Sequence, residues 1–398
     1  MPQLSNRLDG FTESIIRKMT RVANQFGAIN LSQGYPDFDP PHELTDELRK
    51  VAEEGPHQYE ITWGSELFRE KLAIKQSKWM GIPIDPASNI VVTCGSTEAM
   101  MAAMMTVCNP GDKVIVFSPF YENYTADAIL TGVTPIYVPL VPPEFQFDLA
   151  ELRRAFEQGV KAIVLCNPSN PTGKVFTRTE LEEIASLAVE FDTFVITDEV
   201  YEHIVFAPHE HTYMASLPGM FERTLSCSSL SKTYSITGWR LGYIIGPAEV
   251  IEVCRKVHDF LTVGAAAPLQ KAALKGLEME ESYYRELTDL YERKRTLFLD
   301  GLDRLGLKYY KPQGAYYVLV DISEFGEPDD YRFCEWLAEE IGVAAVPGSS
   351  FFREDVRQYI RFHFAKKEET LLEALKRLEK LVPYRKTGLP THVNRRGV

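Results

Sequence analysis

Residues 162–201 read AIVLCNPSNPTGKVFTRTELEEIASLAVEFDTFVITDEVY. Two short runs, Ala162–Leu165 and Phe194–Thr197, are almost unbroken Ala, Ile, Val, Leu and Phe. A strand with one wet face alternates apolar and polar residues, whereas an unbroken apolar run suits a strand covered on both faces. Between them, Thr179–Phe191 alternates charge and apolar side chains at helical spacing. Strand, helix, strand is the repeating unit of a parallel sheet. Working outward, comparable runs occur at Ile90–Thr93, Val114–Phe117, Ile136–Val138, Thr224–Ser226 and Tyr243–Ile245, with a further helix at Thr97–Val107. The pattern predicts an α/β fold, a mostly parallel seven-stranded sheet sandwiched by helices.

Past Leu269 the pattern changes. A charged helical stretch is expected from Gln270 to about Leu305, a strand at Ala315–Val320, a helix at Asp330–Ile341 and a strand at Tyr359–Phe364. Leu371, Leu372, Leu375, Leu378 and Leu381 mark a last amphipathic helix. This reads as a smaller α+β domain. The expected division is an N-terminal arm and part of the small domain at 1–45, a large domain at 46–285 and a C-terminal small domain at 286–398. The basic tail Pro383–Val398 is expected to be poorly ordered.

The chain has 398 residues, of which 43 are basic and 56 acidic, a net charge of −13. Such a surface repels phosphate backbones and argues against a nucleic-acid partner. No apolar stretch reaches the ~18 residues of a membrane helix, and MPQLSNRLDG carries no secretory pattern. The six cysteines (94, 108, 166, 227, 254 and 334) show no paired spacing, which points to free thiols in the cytoplasm. His209 and His211 form an HxH in a Pro-containing loop without further ligands, expected to be a solvated loop and no metal site.

Four motifs follow predicted strands, at the edge where open α/β sheets bind ligands. In LSCSSLSKTYSITGWRLGYIIG (225–246), Lys232 lies beside Ser229 and Ser231, eight residues before Arg240. Poor solvation and a nearby guanidinium both favour a neutral, nucleophilic amine there, although an ordinary surface lysine fits the position too. Asp198, after Phe194–Thr197, could cap a helix or hold a ring nitrogen protonated. Tyr201 could pack or point its phenol into the same cleft. NPSNPTG (167–173) is a rigid loop that could present Asn170. VTCGSTEA (92–99) puts Gly95, Ser96 and Thr97 at a helix N-terminus, a cradle for phosphate or a plain cap. An amine for a carbonyl, a carboxylate for a ring nitrogen, an amide and phenol for a ring hydroxyl and a cradle for phosphate are together the complement of pyridoxal 5′-phosphate.

The SxSKxxxxxGxRxGY pattern around Lys232, DEVY at 198–201 and NPxNPTG at 167–173 resemble the fold-type I, class I/II aminotransferases. The resemblance runs from LSQGYPDF (31–38) to IRFHFA (360–365). ASLPGMFERTL (215–225) and PQGAYYVLVDIS (312–323) are similar to its kynurenine, glutamine–phenylpyruvate and methionine branch. The resemblance implies that Lys232 binds the cofactor covalently and then moves the substrate proton. Asp198 would pair with the ring nitrogen, Asn170 and Tyr201 with the 3′-oxygen, and Tyr121 would stack on the ring. Gly95, Ser96, Thr97, Ser229 and Arg240 would hold the phosphate. Arg361 would clamp the substrate carboxylate with Asn170 and the Gly34 backbone. Tyr59 would reach the cofactor of a second subunit, so that a homodimer shares its sites. Ser118–Pro119 and Asn170–Pro171 would be cis, turning Tyr121 and Asn170 into the cleft.

The implied reaction moves an amino group from an L-amino acid to a 2-oxo acid by ping-pong kinetics. Ile16 and Thr97 stand where aromatic-preferring relatives carry larger residues, and no second basic residue for a side-chain carboxylate is evident. Neutral or aromatic amino acids are the expected substrates. The alternatives are an aspartate-type aminotransferase and a β-lyase acting on cysteine conjugates. A cofactor-binding transcription regulator would need a DNA-binding module ahead of LSQGYPDF, where only some 30 residues stand.

Overall fold

The computed structural model describes residues 2, 5, 6 and 13–390. Its strands are β1 (Ile29–Asn30), β2 (Ile90–Thr93), β3 (Lys113–Ser118), β4 (Thr134–Pro139), β5 (Ala162–Cys166), β6 (Phe194–Asp198), β7 (Thr224–Ser229), β8 (Gly242–Ile245), β9 (Lys308–Tyr310), β10 (Tyr317–Asp321), β11 (Val343–Ala344), β12 (Val346–Pro347) and β13 (Tyr359–His363). The seven strands expected of the large sheet are all present, in the order β2-β8-β7-β6-β5-β3-β4. Only β8 runs against the rest, pairing antiparallel with β2 and β7. The four motif-bearing strands β2, β5, β6 and β7 therefore point the same way and end at one edge.

The apolar runs do what their composition demands. On β5, Ile163 and Leu165 pack with Leu181 and Ile184 of helix Arg178–Glu190 on one face. Ala162 and Val164 pack with Ala99 and Ala103 of helix Ser96–Val107 on the other. Each such side chain taken from water contributes roughly 1.5–3 kcal/mol. Helix Arg178–Glu190 starts at Thr177, whose side chain accepts from the Glu180 N–H while Glu180 accepts from the Thr177 N–H, a reciprocal cap.

A second sheet, β12-β13-β10-β9, is antiparallel throughout. Its core joins Val318, Val320, Ile360 and Phe362 to Leu371 and Leu378 of helix Glu368–Leu378, and also to Val200, Tyr201 and Ile204 beyond β6. The sheets thus meet at the DEVY segment. β1 pairs with β11, Ile29 opposite Val343, and ties the start of the chain to its end.

Four expectations need correction. The helical stretch 270–305 is two helices, Ala267–Leu277 and Glu281–Arg304. The first packs on helices His42–Glu54 and Glu66–Met80 and the second on helix Glu368–Leu378, so the chain turns between them. β10 begins at Tyr317, because Ala315 takes a positive φ of 57° while the N–H groups of Gln313 and Gly314 bond to the Gly173 carbonyl. The loop holding His209 and His211 is not simply solvated: the His211 ring is buried, Nε2 lying 3.7 Å from Glu199 Oε1. The tail is built as far as Pro390, with Arg385 donating to the Leu305 carbonyl at 2.5 Å. The rest of the predicted tail, 391–398, lies outside the described residues.

Candidate active site

A cleft of about 1330 Å³ opens where the large sheet's motif edge faces β13 and the N-terminal helix Ile15–Phe26. A pocket of this size exceeds the ~300–1,000 Å³ of a typical small-ligand site.

At its floor, β7 runs into one helical turn, Leu230–Thr233, that carries Lys232. Ser229 Oγ accepts from the Ser231 N–H at 3.3 Å and so caps the turn. Lys232 Nζ donates to the Gly34 carbonyl at 3.3 Å and lies 5.9 and 5.8 Å from the ring centres of Tyr201 and Tyr316. Burial, helped by Arg240 and Arg361 and opposed by Asp198, brings its pKa down to about 8. Asp198 ends β6. Its Oδ2 accepts from the Tyr124 hydroxyl at 2.8 Å and its Oδ1 from the Val200 N–H at 3.4 Å. Burial raises its pKa to about 6, against the hydrogen bonds and Lys232, which lower it. Burial thus shifts the pKa values of amine and carboxylate towards each other.

Ser96 and Thr97 line the cleft at the N-terminus of helix Ser96–Val107. Gly95, just before it, has φ +86°, and a Cβ there would run into the Arg240 guanidinium. Arg240 itself takes a left-handed φ of 53°, and its Nη1 donates only to the Thr237 carbonyl at 2.9 Å. The one acid in the first helical turn, Glu98, is turned to the Cys94 N–H and to His258, both at 2.8 Å. The helix end and the arginine are left for an anion. Tyr121 also lines the cleft, its ring edge-on to Tyr124.

On the opposite wall Arg361 is fully buried on β13. Its Nη1 donates to Asn170 Oδ1 at 2.5 Å and its Nη2 to the Ser32 carbonyl at 2.8 Å, while Nε has no partner. The guanidinium lies between Tyr317 and Phe351, 4.2 and 4.6 Å from the ring centres. The Gly34 carbonyl serves Lys232 and the Tyr316 hydroxyl. Tyr201 shares a hydroxyl contact of 2.9 Å with Tyr317. Ser118–Pro119 and Asn170–Pro171 are both cis. Tyr59 is 87% exposed and contributes nothing to the cleft of its own chain.

Sequence reasoning missed Tyr124, Tyr316, Tyr317 and Ser32. Tyr124 carried a signal, since it stands three residues after Tyr121 in SPFYENY. The contact of Ser32 is a backbone carbonyl, which no residue type announces.

A profile of the aminotransferase class I and II family matches residues 27–378. The chain belongs to this family. The aminotransferase is 37% identical to the methionine aminotransferase of Escherichia coli over 94% of its own length and 98% of the relative's. It is 35% identical to human kynurenine–oxoglutarate transaminase 1, covering 94% and 97% of the two chains. Its structure matches that of N-succinyldiaminopimelate aminotransferase from Mycobacterium tuberculosis with a TM-score of 0.92 and 35% identity, over 95% of this chain and all of the other. Like the family, it is a pyridoxal-phosphate-dependent transferase. The cleft fits that cofactor. A neutralisable amine, a carboxylate and an unpaired arginine at a helix N-terminus stand around one space, and glycine at position 95 keeps the space open. No helix among the described residues is long and apolar enough to cross a membrane.

Proposed function

We propose that this aminotransferase takes its amino group from neutral or aromatic L-amino acids of the methionine, glutamine, phenylalanine and kynurenine class and passes it to a 2-oxo acid. The observation that carries the reading is that two cations without acid partners among the described residues, Arg240 and Arg361, line one cleft with Lys232 and both act on its amine. One anion site suits the cofactor phosphate and the other a substrate carboxylate. The two together would fix the reacting carbon beside the Lys232 amine.

Lys232 would hold the cofactor through its side-chain amine and, when substrate is bound, would move the proton of the substrate Cα. Bound pyridoxal phosphate supplies the electron sink that makes this C–H bond acidic. Asp198, held by Tyr124, keeps a proton on the ring nitrogen. Asn170 and Tyr201 would serve the 3′-oxygen, and Tyr121 would stack on the ring. Gly95, Ser96, Thr97, Ser229 and Arg240 would hold the phosphate. Arg361 orients the substrate carboxylate, with Asn170 fixing its fork and the Gly34 backbone placing the amine.

The working unit in this reading is a homodimer in which Tyr59 enters the neighbour's site. Its support is an exposed apolar group beside the cleft mouth, Tyr59, Ile61, Phe260 and Val263. The lobes are assigned as 1–45 with 286–398 and 46–285. Six free cysteines favour the cytoplasm.

The test is a half-reaction. Holoenzyme mixed with one amino acid and no oxo acid is expected to release one equivalent of the matching 2-oxo acid and leave the cofactor as its amine. Methionine, glutamine, phenylalanine and kynurenine should react faster than aspartate. Release of pyruvate and ammonia from a cysteine conjugate, with no amine form of the cofactor, would overturn the reading in favour of β-elimination.

A further inference from the structure

Asp198 and Tyr201 are followed by two more buried polar residues, Glu202 and His203, which no step described above uses. A buried carboxylate must find donors for about four lone pairs. Glu202 finds them all. Its Oε2 accepts from the Tyr213 hydroxyl at 2.6 Å and from Gln76 Nε2 at 3.0 Å. Its Oε1 accepts from the Tyr243 hydroxyl at 3.0 Å and from Ser228 Oγ at 3.2 Å.

The charge is balanced at one remove. Lys75, on helix Glu66–Met80, is buried and donates to Gln76 Oε1 at 3.2 Å. Its Nζ also lies 3.0 Å from His203 Nε2, which is 3.8 Å from Glu202 Oε1. Burial, with Lys75, brings the His203 pKa down to about 3, so that Nε2 can accept from the lysine. Burial works against the charge of Glu202, but Lys75 and the Tyr213 and Gln76 donors outweigh it and hold the carboxyl below its ordinary range. A buried ion pair is commonly no more stabilising than an apolar filling of the same volume. What it offers over such a filling is fixed geometry.

Two of the donors come from strands that carry the site. Ser228 Oγ lies 3.2 Å from the Glu199 carbonyl as well, next to Asp198, and Ser228 precedes Ser229, which caps the turn of Lys232. Tyr243 stands opposite Ser228 on β8 and follows Gly242, where a Cβ would meet the Gly95 carbonyl carbon at 2.5 Å. One carboxylate thus joins the segment of Asp198, the strand leading to Lys232 and the strand against the phosphate cradle. Tyr213, by contrast, belongs to a loop with no residue assigned to the site.

We infer that Glu202 is a positioning residue for the reaction: with Lys75 behind it, it holds Asp198, Lys232 and the phosphate cradle in register from within the core. The inference rests on the roles proposed for those groups.

Two variants that each lose one hydroxyl separate placement from stability. Tyr243→Phe and Tyr213→Phe take a donor from the same carboxylate, but only the first cuts a tie to a site-bearing strand. In the holoenzyme, Tyr243→Phe should move the pH titration of the bound cofactor's absorbance by about half a unit or more. It should lower kcat by about tenfold with KM nearly unchanged, the mark of a misplaced reacting group. Tyr213→Phe should lower the urea midpoint to a similar extent and leave titration and kcat as in wild type. Glu202→Gln should show the Tyr243→Phe changes in full, and Glu202→Asp, with the charge on a shorter arm, should not restore them. The assignment is overturned if Tyr213→Phe changes titration and kcat as much as Tyr243→Phe, if neither changes them, if a folded Glu202→Gln matches wild type, or if Glu202→Asp does. Should Glu202→Gln fail to fold, the tyrosine pair decides. A wild type that holds its cofactor but converts it with no amino acid removes the proposed function, and the absorbance titration still decides the role of Glu202.

Discussion

Lys232 and Asp198 line the same cleft, and burial drives both towards neutrality. With the amine near pH 8, its nucleophilic fraction grows about tenfold for each pH unit below that value and then levels. Capture of pyridoxal phosphate by the apoenzyme should therefore accelerate between pH 6.5 and 8 and flatten above it, as stopped-flow absorbance would record. A rate that is flat over this range would mean the amine is already neutral. Arg361→Leu removes two hydrogen bonds from a charged fork, each worth roughly 1.5–3 kcal/mol. It should cut kcat/KM for all amino acids by on the order of 10²-fold while cofactor retention stays near normal. Loss of cofactor with an unchanged KM would contradict its assigned role. A third residue stands apart from the chemistry. Asp127 is buried beside Asp198 with Oδ2 unpartnered, and burial raises its pKa to about 8. The unfolded carboxyl titrates near ~3.9, so the native state holds a proton that the unfolded chain lacks. Stability from this group is full below pH 4 and lost as pH rises towards 8, by at most ~1.4 kcal/mol per pH unit. Asp198 adds the same sign only up to about pH 6, and the lowered Lys232 acts above pH 8. Urea midpoints of the apoenzyme should thus fall from pH 7 to 8, and Asp127→Asn should flatten that slope. An unchanged slope would place the proton elsewhere.

Elements explain which parts of the molecule were legible. The seven large-sheet strands were readable because burial on both faces leaves a run such as AIVL no other environment. The direction of β8 was not, since a reversed strand between two buried neighbours has the same composition. β11 and β12 are two residues each and leave no pattern at all. Lys232, Asp198 and Asn170 could be read because each follows such a run. Tyr124 and Tyr317 could not be given partners, because their contacts with Asp198 and Tyr201 join residues 74 and 116 apart. The reversed β8 also sets a tolerance. Its Gly242 lies so close to the cradle that a Cβ would meet the Gly95 carbonyl carbon at 2.5 Å and the Ser96 nitrogen at 2.7 Å. Backbone atoms cannot yield as a flexible side-chain end can. Gly242→Ala should push the cradle from its strand and weaken cofactor retention by tenfold or more, measured as cofactor released on dilution. A variant that keeps its cofactor would show that the loop has slack.

On the scale of the whole molecule, the surface beside the cleft is the open question. Phe260 is 93% exposed at the end of helix Ala248–Thr262, and Asp259 beside it meets Thr62 at 3.3 Å. That contact joins the helix end to the loop carrying Tyr59 and Ile61. Large apolar side chains grouped in this way mark a contact surface. If the proposed homodimer forms through this surface, Phe260→Glu should shift sedimentation from dimer to monomer at micromolar concentration, and activity should fall with it. A dimer that survives the change would put the interface elsewhere.

The tie between the two ends of the chain has a consequence for biosynthesis. The groups assigned to pyridoxal phosphate in this chain stand between Gly95 and Arg240, so a ribosome working from the N-terminus has made all of them with over a hundred residues still to come. Arg361 arrives near the end, and only then can it meet Ser32, made 329 residues earlier. On the proposed roles, the emerging polypeptide would therefore hold its own chain's cofactor groups before it holds the one arginine meant for the substrate carboxylate.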